Sequence, residues 1–478
     1  MLLLNAARGV VRIGTAVLAT VLVLTGLMGT APPAGTQALA QPADETAISR
    51  RWLEAIGRGD VDAALAFFTD DGVFDDAAAC GWPFMCVGPL EARPRLEALA
   101  GARTQISEIT ARRFATRWSA WTTVWFEVRS DATRAAGVDR IQQAVTVTLR
   151  GEKIVSVSWR SNRGDAQTGR FLAAQPRPPA PTFRRPEPAP HGRFVDVGGR
   201  KVYIECLGSG SPTVVFEAGL DPVGGASGRT WVGVEPRPLP QRNIHGDVAN
   251  RTRACTYDRP GIGLSDRGPT PRDGLRAVQD LRQALRSAGE RPPFVLVGWS
   301  LGAPLAYLFA SQYRHEVAGL VLLDPAVFPF DFNERLWAML PADLAQQDRA
   351  RTQRFYENMI QPGFLEGGWD APATAAHLRG TPPLGDIPLI VLIAGKPLTN
   401  PYDLSPASFI GPQPGWSPEL IAQREQLRLE VQADPARRVP RGRHIIVDSS
   451  DHLMWRFVPW KVTAAIVDVV EAARRSVK

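Results

Sequence analysis

Lysine is nearly missing. The 478-residue chain carries 55 basic residues, of which only Lys153, Lys201, Lys396, Lys461 and Lys478 are lysines. The net charge of +7 is therefore an arginine charge, spread along the chain without a basic block. No nucleic-acid motif accompanies it, so a nucleic-acid partner is excluded and the charge reads as compositional bias. Cysteine is also sparse: four residues, Cys80 with Cys86 and Cys206 with Cys255. None has the paired short spacing beside histidine that a zinc site needs, so neither a metal nor another cofactor is expected. The six histidines leave few candidates for a general base. Beyond residue 40 no apolar run is long enough to cross a membrane.

The apolar run that does exist lies near the start. Arg8 and Arg12 precede Ile13 to Met28, and Ala38-Leu39-Ala40 offers small residues where a signal peptidase would cut. Basic start, apolar middle and small-residue exit predict a secretory signal over residues 1–40 and an exported protein. The alternative is an uncleaved segment that keeps the protein at a membrane. Export bears on the cysteines, because disulfides persist outside the cytoplasm.

Composition divides the remainder into three. Residues 44–162 predict two short helices, Ala47 to Gly57 and Val61 to Phe68, and then a turn at Asp70-Asp71-Gly72. Trp118 to Val128 alternates as a strand, and Ala144 to Leu149 with Ile154 to Trp159 flank a hairpin turn at Arg150-Gly151-Glu152-Lys153. Helices followed by sheet make an α+β domain. Trp82, Phe84 and Trp125 read as core or pocket wall. Asp70, Asp71, Asp75 and Asp76 read as a solvated cluster or as a base in a pocket. Residues 163–191 are rich in proline, which fixes φ and blocks regular elements, and predict a semi-rigid spacer. From residue 192 to 478, eight apolar strands alternate with helices, which predicts an α/β domain with a mostly parallel sheet covered on both faces.

One stretch concentrates the chemistry. Phe294 to Val297 reads as a buried strand, Gly298-Trp299-Ser300-Leu301-Gly302 as a sharp turn, and Ala303 to Tyr313 as a helix. A serine at such an apex requires small flanking residues so that strand and helix can close together.

The larger domain resembles an α/β-hydrolase over about 285 residues. The resemblance rests on Pro212 to Leu220, on Tyr257-Asp258-Arg259-Pro260-Gly261-Ile262-Gly263-Leu264-Ser265-Asp266, on the serine turn and on Ser450-Asp451-His452. Two positions depart from the usual pattern: Trp299 stands where many relatives have histidine, and Asp451 where glycine usually stands. The resemblance implies an eight-stranded sheet with a helical cap at about 325–387. It makes Ser300 the nucleophile and, of the six histidines, His452 the base, because only His452 lies in the loop after the last strand. The acid is Asp324, at the end of the strand after the nucleophile helix, or Asp403. Backbone N–H groups of Leu301 and Leu220 form the oxyanion hole. The family's second and fourth strands are neighbours, which implies a Cys206–Cys255 disulfide. The smaller domain resembles an NTF2-like (SnoaL-like) cone over about 115 residues. That resemblance rests on Trp52 with Ala64-Leu65-Phe68, Asp71-Gly72-Val73-Phe74, Cys86-Val87-Gly88 and Lys153-Ile154, and implies an accessory role.

The expectation is an exported serine hydrolase of an ester or related acyl bond. The insertion's Phe328, Phe330, Phe332, Trp337, Phe355, Tyr356, Phe364 and Trp369 imply a substrate with an apolar portion. Peptidase, thioesterase and carbon–carbon hydrolase chemistry use the same three groups. A ligand-binding protein with a degenerate hydrolase domain is the other class.

Overall fold

Two sheets take up all fourteen described strands. The computed structural model describes residues 44–75, 85–175, 189–220, 243–327, 331–395 and 416–476. The N-terminal segment 1–40, Asp76, Cys80, Trp82, Phe84, Phe328, Phe330 and Asp403 lie outside these residues, as do residues 176–188 of the proline-rich stretch.

The first sheet begins with α1 (Glu45–Gly57), capped by the Asp44 carboxylate accepting from the Ala47 N–H, and α2 (Val61–Leu65), capped likewise by Asp60. The helix expected to reach Phe68 stops at Leu65, and β1 (Phe68–Asp75) starts where the ring turns inward. The expected turn at Asp70–Gly72 is instead a register shift inside β1, against its parallel neighbour β6. Gly72 permits it: a Cβ there would lie 3.0 Å from the Phe68 ring and 3.1 Å from the Ile154 carbonyl. There follow β2 (Met85–Val87), α3 (Gly88–Gly101), β3 (Gln105–Ala115), β4 (Ala120–Arg129), α4 (Asp131–Ala135), β5 (Ile141–Arg150) and β6 (Lys153–Ser161). The strand order is β2-β1-β6-β5-β4-β3. Trp52, Phe68, Phe74, Phe126 and Trp159 fill the space between helices and sheet, with ring centroids 5.3 to 6.3 Å apart. Trp125 is half-buried, outside this group of rings.

The spacer starts later than expected. Residues Ala166–Ala174 form α5, capped by Asp165, which also pairs with Arg140 ahead of β5 at 2.8 Å. Thr168 is buried and accepts from the Gln142 N–H, so this helix belongs to the first sheet.

The second sheet uses β7 (Gly192–Asp196), β8 (Lys201–Leu207), β9 (Thr213–Glu217), α6 (Ile244–Ala249), β10 (Ala254–Tyr257), α7 (Gly274–Ser287), β11 (Phe294–Trp299), α8 (Gly302–Gln312) and β12 (Val317–Leu323). The insertion then contributes α9 (Phe332–Met339), α10 (Ala342–Met359) and α11 (Ala371–Arg379). The chain closes with β13 (Leu389–Ala394), α12 (Pro418–Arg437), β14 (Gly442–Val447), α13 (Met454–Phe457) and α14 (Pro459–Ser476). The order β14-β13-β12-β11-β9-β10-β8-β7 is parallel except where β8 meets β10 and β7. That reversal sets Cys206 directly opposite Cys255, and the two form a disulfide.

Side chains alternate across a strand, so β11 feeds two cores. Leu296 joins Leu320 and Val391 with Leu281, Leu305 and Leu429 from α7, α8 and α12. Val295 and Val297 join Val321 and Ile390 with Val248, Ile466 and Val469 from α6 and α14. Coverage of both faces explains why β9, β11 and β13 are buried along their whole length. Val73 of the first sheet is also buried in this second cluster, and Asp44 to the C-terminus forms one compact unit.

Candidate active site

Ser300 sits at the apex between β11 and α8 with φ of 54°, a left-handed conformation that costs energy in a residue with a Cβ. The neighbours make it possible. A Cβ on Gly298 would strike the Gly302 carbonyl, and one on Gly302 would strike the Glu217 carbonyl at the end of β9. The bend is further fixed by the Ser300 N–H donating to Leu323 O at 3.0 Å and by the Ala326 N–H donating to Ser300 O at 3.0 Å.

His452 follows β14 by five residues. Its Nε2 lies 2.9 Å from Ser300 Oγ and its Nδ1 lies 2.7 Å from Asp324 Oδ2. An ionised carboxylate only accepts, so Nδ1 carries the proton and Nε2 is left to accept from the serine hydroxyl. Asp324, at the end of β12, is fully buried with φ of 40°. Burial pushes its carboxyl up. The hydrogen bond and charge of His452, the Arg428 charge and the Ala394 N–H outweigh that and hold it below the usual carboxylate range. The Ala394 N–H donates to Asp324 Oδ1 at 3.0 Å, and Arg428 Nη1 lies 3.6 Å from the same oxygen.

The Leu220 and Leu301 N–H groups meet no acceptor among the described residues. Gly219 brings the first of them to the serine: a Cβ at Gly219 would stand 2.9 Å from Ser300 Cβ and 2.8 Å from the Trp299 ring. The carbonyls of Ala218 and Gly219 are held from behind by the buried Arg259 guanidinium, whose Nη2 donates to Gly219 O at 2.7 Å. Arg259 in turn pairs with Glu217 at 2.6 Å and with Glu366, a buried residue of the insertion. Burial works against the Arg259 charge, but the two carboxylates outweigh it and hold its pKa above the ordinary range.

Three supporting groups carry no individual role in the sequence reading. Arg259 and Glu217 stand inside motifs that the resemblance quotes, and a charged residue at or just past the end of an apolar strand was the signal available for them. Arg428 comes from α12, where it donates to Glu425, Gln432 and the Ala394 carbonyl. Trp299, one of the two departures, donates from Nε1 to the His452 carbonyl at 2.6 Å, with its ring 5.2 Å from the imidazole. Asp451, the other, accepts from the Leu453 N–H at 2.8 Å.

The remaining histidines lie elsewhere: His245 is buried in α6 on the Ala254 carbonyl, and His444 rests against Trp118. His377 is in α11, near Asp273. Within the insertion, Phe332 and Trp369 are core residues and Trp337 donates to Asp348. Phe355, Tyr356 and Phe364 are half-buried, with the Phe355 ring against both of the others. Cys206, Cys255 and Glu290 come close enough to hold an ion, but both thiols are consumed by the disulfide and Glu290 pairs with Arg253 at 2.7 Å.

Among characterised and uncharacterised relatives, the chain is similar to YqjL, an uncharacterized protein of Bacillus subtilis, at 37% identity over 189 residues, which is 40% of this chain and 64% of that protein. YbdG of the same organism is 26% identical over 133 residues, 28% of this chain and 37% of that protein. The chain thus spans less than two thirds of either. A bovine (lyso)-N-acylphosphatidylethanolamine lipase is 33% identical over 85 residues, 17% of this chain and 25% of the lipase. Among solved structures, mouse alpha/beta hydrolase domain-containing protein 10 aligns with a TM-score of 0.40 at 16% identity, covering 59% of this chain and 98% of that one. An esterase from Thermogutta terrifontis aligns at 0.37 and 19% identity, covering 59% of this chain and 98% of that one. The family model for the alpha/beta hydrolase family matches residues 214–466, from β9 through the His452 loop into α14, and the chain belongs to that family.

Proposed function

We propose that the protein is a serine hydrolase that cleaves an ester or related acyl bond. The observation that carries this reading is the hydrogen-bonded chain Ser300–His452–Asp324 at the apex of a left-handed turn. In this reading His452 Nε2 takes the Ser300 proton as Oγ attacks the substrate carbonyl. Asp324 stabilises the imidazolium that forms and keeps its tautomer fixed. The Leu220 and Leu301 N–H groups receive the negative oxygen; one such donor is worth about a hundred- to a thousandfold in turnover. The imidazolium then protonates the leaving group, and water, deprotonated by the same nitrogen, releases the acyl group from Ser300.

The substrate's apolar portion rests on the half-buried Phe355, Tyr356 and Phe364 of the insertion. Export rests on the N-terminal pattern and agrees with the Cys206–Cys255 disulfide. The NTF2-like reading of the first sheet is supported by α1 to α3 preceding a long antiparallel run, β3 to β6.

Hydrolysis of p-nitrophenyl esters of graded chain length, together with fluorophosphonate labelling, tests the reading. Wild type turns over and labels at Ser300, and Ser300→Ala loses about a million-fold in kcat. A folded wild-type chain that neither labels nor turns over would instead support the ligand-binding class.

A further inference from the structure

The first sheet reaches the loop that carries His452. Arg150, the last residue of β5, donates from Nε and Nη2 to the two oxygens of Asp448 at 2.8 and 2.6 Å. Asp448 is the first residue after β14 and lies four positions before His452. A two-pronged guanidinium–carboxylate contact fixes orientation as well as distance. Arg150 is itself steadied by Asp71 of β1, 3.4 Å from Nη1. The charged groups facing this contact are Asp71 and Lys461 of α14, which acts on Asp71 from the hydrolase side. Burial raises the Asp71 carboxyl, but Thr69, Arg150 and Lys461 outweigh it and hold it below its ordinary value.

The loop is also held by contacts of its own: Ser449 and Ser450 are fully buried, the Ser450 N–H donates to Val447 O at 3.1 Å, and the Leu453 N–H donates to Asp451 Oδ1 at 2.8 Å. Gly395 N–H donates to Val447 O at 2.8 Å before it, and Trp299 holds the His452 carbonyl. Beside the ionic contact, Val73 of β1 is buried in the cluster that contains Met454, Val458 and Trp299, whose ring lies 5.2 Å from the imidazole.

We propose that Arg150 is a positioning residue, through which the N-terminal sheet fixes the loop that holds His452 between Ser300 and Asp324. This rests on the hydrolase reading above. Arg150 and Asp448 side chains are 45% and 38% exposed, so the pair adds little to global stability. Its consequence is geometric, because a shift of about 1 Å in a catalytic group costs about a hundredfold in rate.

The test uses the full chain with Arg150→Ala, Arg150→Lys, Asp448→Ala and the Arg150→Ala/Asp448→Ala double variant. The measurements are kcat and KM for p-nitrophenyl butyrate and the far-downfield proton resonance of His452 Nδ1–H against Asp324. Each Ala variant loses about tenfold in kcat with KM within about twofold, and the resonance broadens or vanishes. The double variant is no worse than the singles, which is the signature of one shared contact, and Arg150→Lys recovers part of the loss. If Arg150→Ala fails to fold, Asp448→Ala and Arg150→Lys carry the same comparison. A kcat within about twofold of wild type, or losses that multiply in the double variant, overturns the proposal. The resonance needs no substrate. Its persistence in the variants therefore refutes the positioning role even if wild type proves inactive on esters, an outcome that refutes the hydrolase reading separately.

Discussion

Ser300 and Asp324 both hold positive φ without being glycine, and both meet His452. Strain of this kind persists only where surroundings over-determine it. Here the two backbones are tied to each other: Ser300 N–H donates to Leu323 O, and Ala326 N–H to Ser300 O. Asp324 carries the clearest pH consequence. Its carboxyl titrates lower in the fold than its ordinary 3.8, so it contributes stability above that value and loses it as pH falls through the folded value. Asp324→Asn should therefore narrow the drop in urea midpoint that wild type shows between about pH 5 and pH 3. At neutral pH the same variant should lose about ten-thousandfold in kcat, because the amide favours the wrong imidazole tautomer. A wild-type kcat in that variant would leave Asp324 a turn residue and return attention to Asp403. Trp299 shows how a departure from pattern can be absorbed: it ends β11 just before the apex, and its indole spends its one donor on the His452 carbonyl.

Elements explain which parts were legible. The β11–turn–α8 unit was readable because its requirement for small residues is written at Gly298 and Gly302, and the structure puts carbonyls where their Cβ atoms would be. The helix α12 was not readable. Its buried residues mix Leu429, Val431 and Ala433 with Arg424, Glu425, Arg428 and Gln432, a mixture that blurs the apolar period, and only the fold shows that Arg428 meets Asp324 and that the Gln432 amide donates to the Pro325 carbonyl. The Arg259 network is likewise tertiary: Glu217 ends β9, Arg259 follows β10 and Glu366 comes from the insertion, 107 residues away. Arg259→Met would leave two buried carboxylates without their cation, at a cost of about 3–5 kcal/mol. It would also release the carbonyls of Ala218 and Gly219. Urea unfolding should show the first effect. A fall in kcat in folded protein, larger than any change in KM, should show the second.

At the scale of the molecule, two sheets that read as separate domains share a core. Val73 of β1 is fully buried and belongs to the same apolar cluster as residues of β9, β11, β12 and α14. Trp118, at the β3–β4 turn, lies against His444 of β14, and the neighbouring Arg117 N–H donates to Gln426 of α12 at 2.6 Å. A proline-rich spacer alone would let two domains unfold independently. Shared burial couples them instead, so calorimetry on the full chain should give a single transition. Val73→Asp, which buries an unpaired charge at the junction, should lower that transition and split it in two. Two transitions in wild type would show that the junction contributes little.

The sequence by itself determined the order of strands and helices around the serine turn, because burial of a two-sided parallel sheet demands continuous apolar runs and a sharp turn demands glycine. It also marked Ser300 and His452, whose residue types and loop positions suit the proposed nucleophile and base. Only the tertiary structure decided that Asp324 lies within hydrogen-bond reach of His452, since that contact spans 128 residues and depends on β12 lying two strands from β14. It alone decided what surrounds the turn: the Arg259 pairings behind Gly219, the α12 charges beside Asp324, and Arg150 on the His452 loop. Those are contacts between polar groups distant in the chain, and no local pattern encodes them. The serine at the apex was visible from its glycines; what holds its partners in place was not.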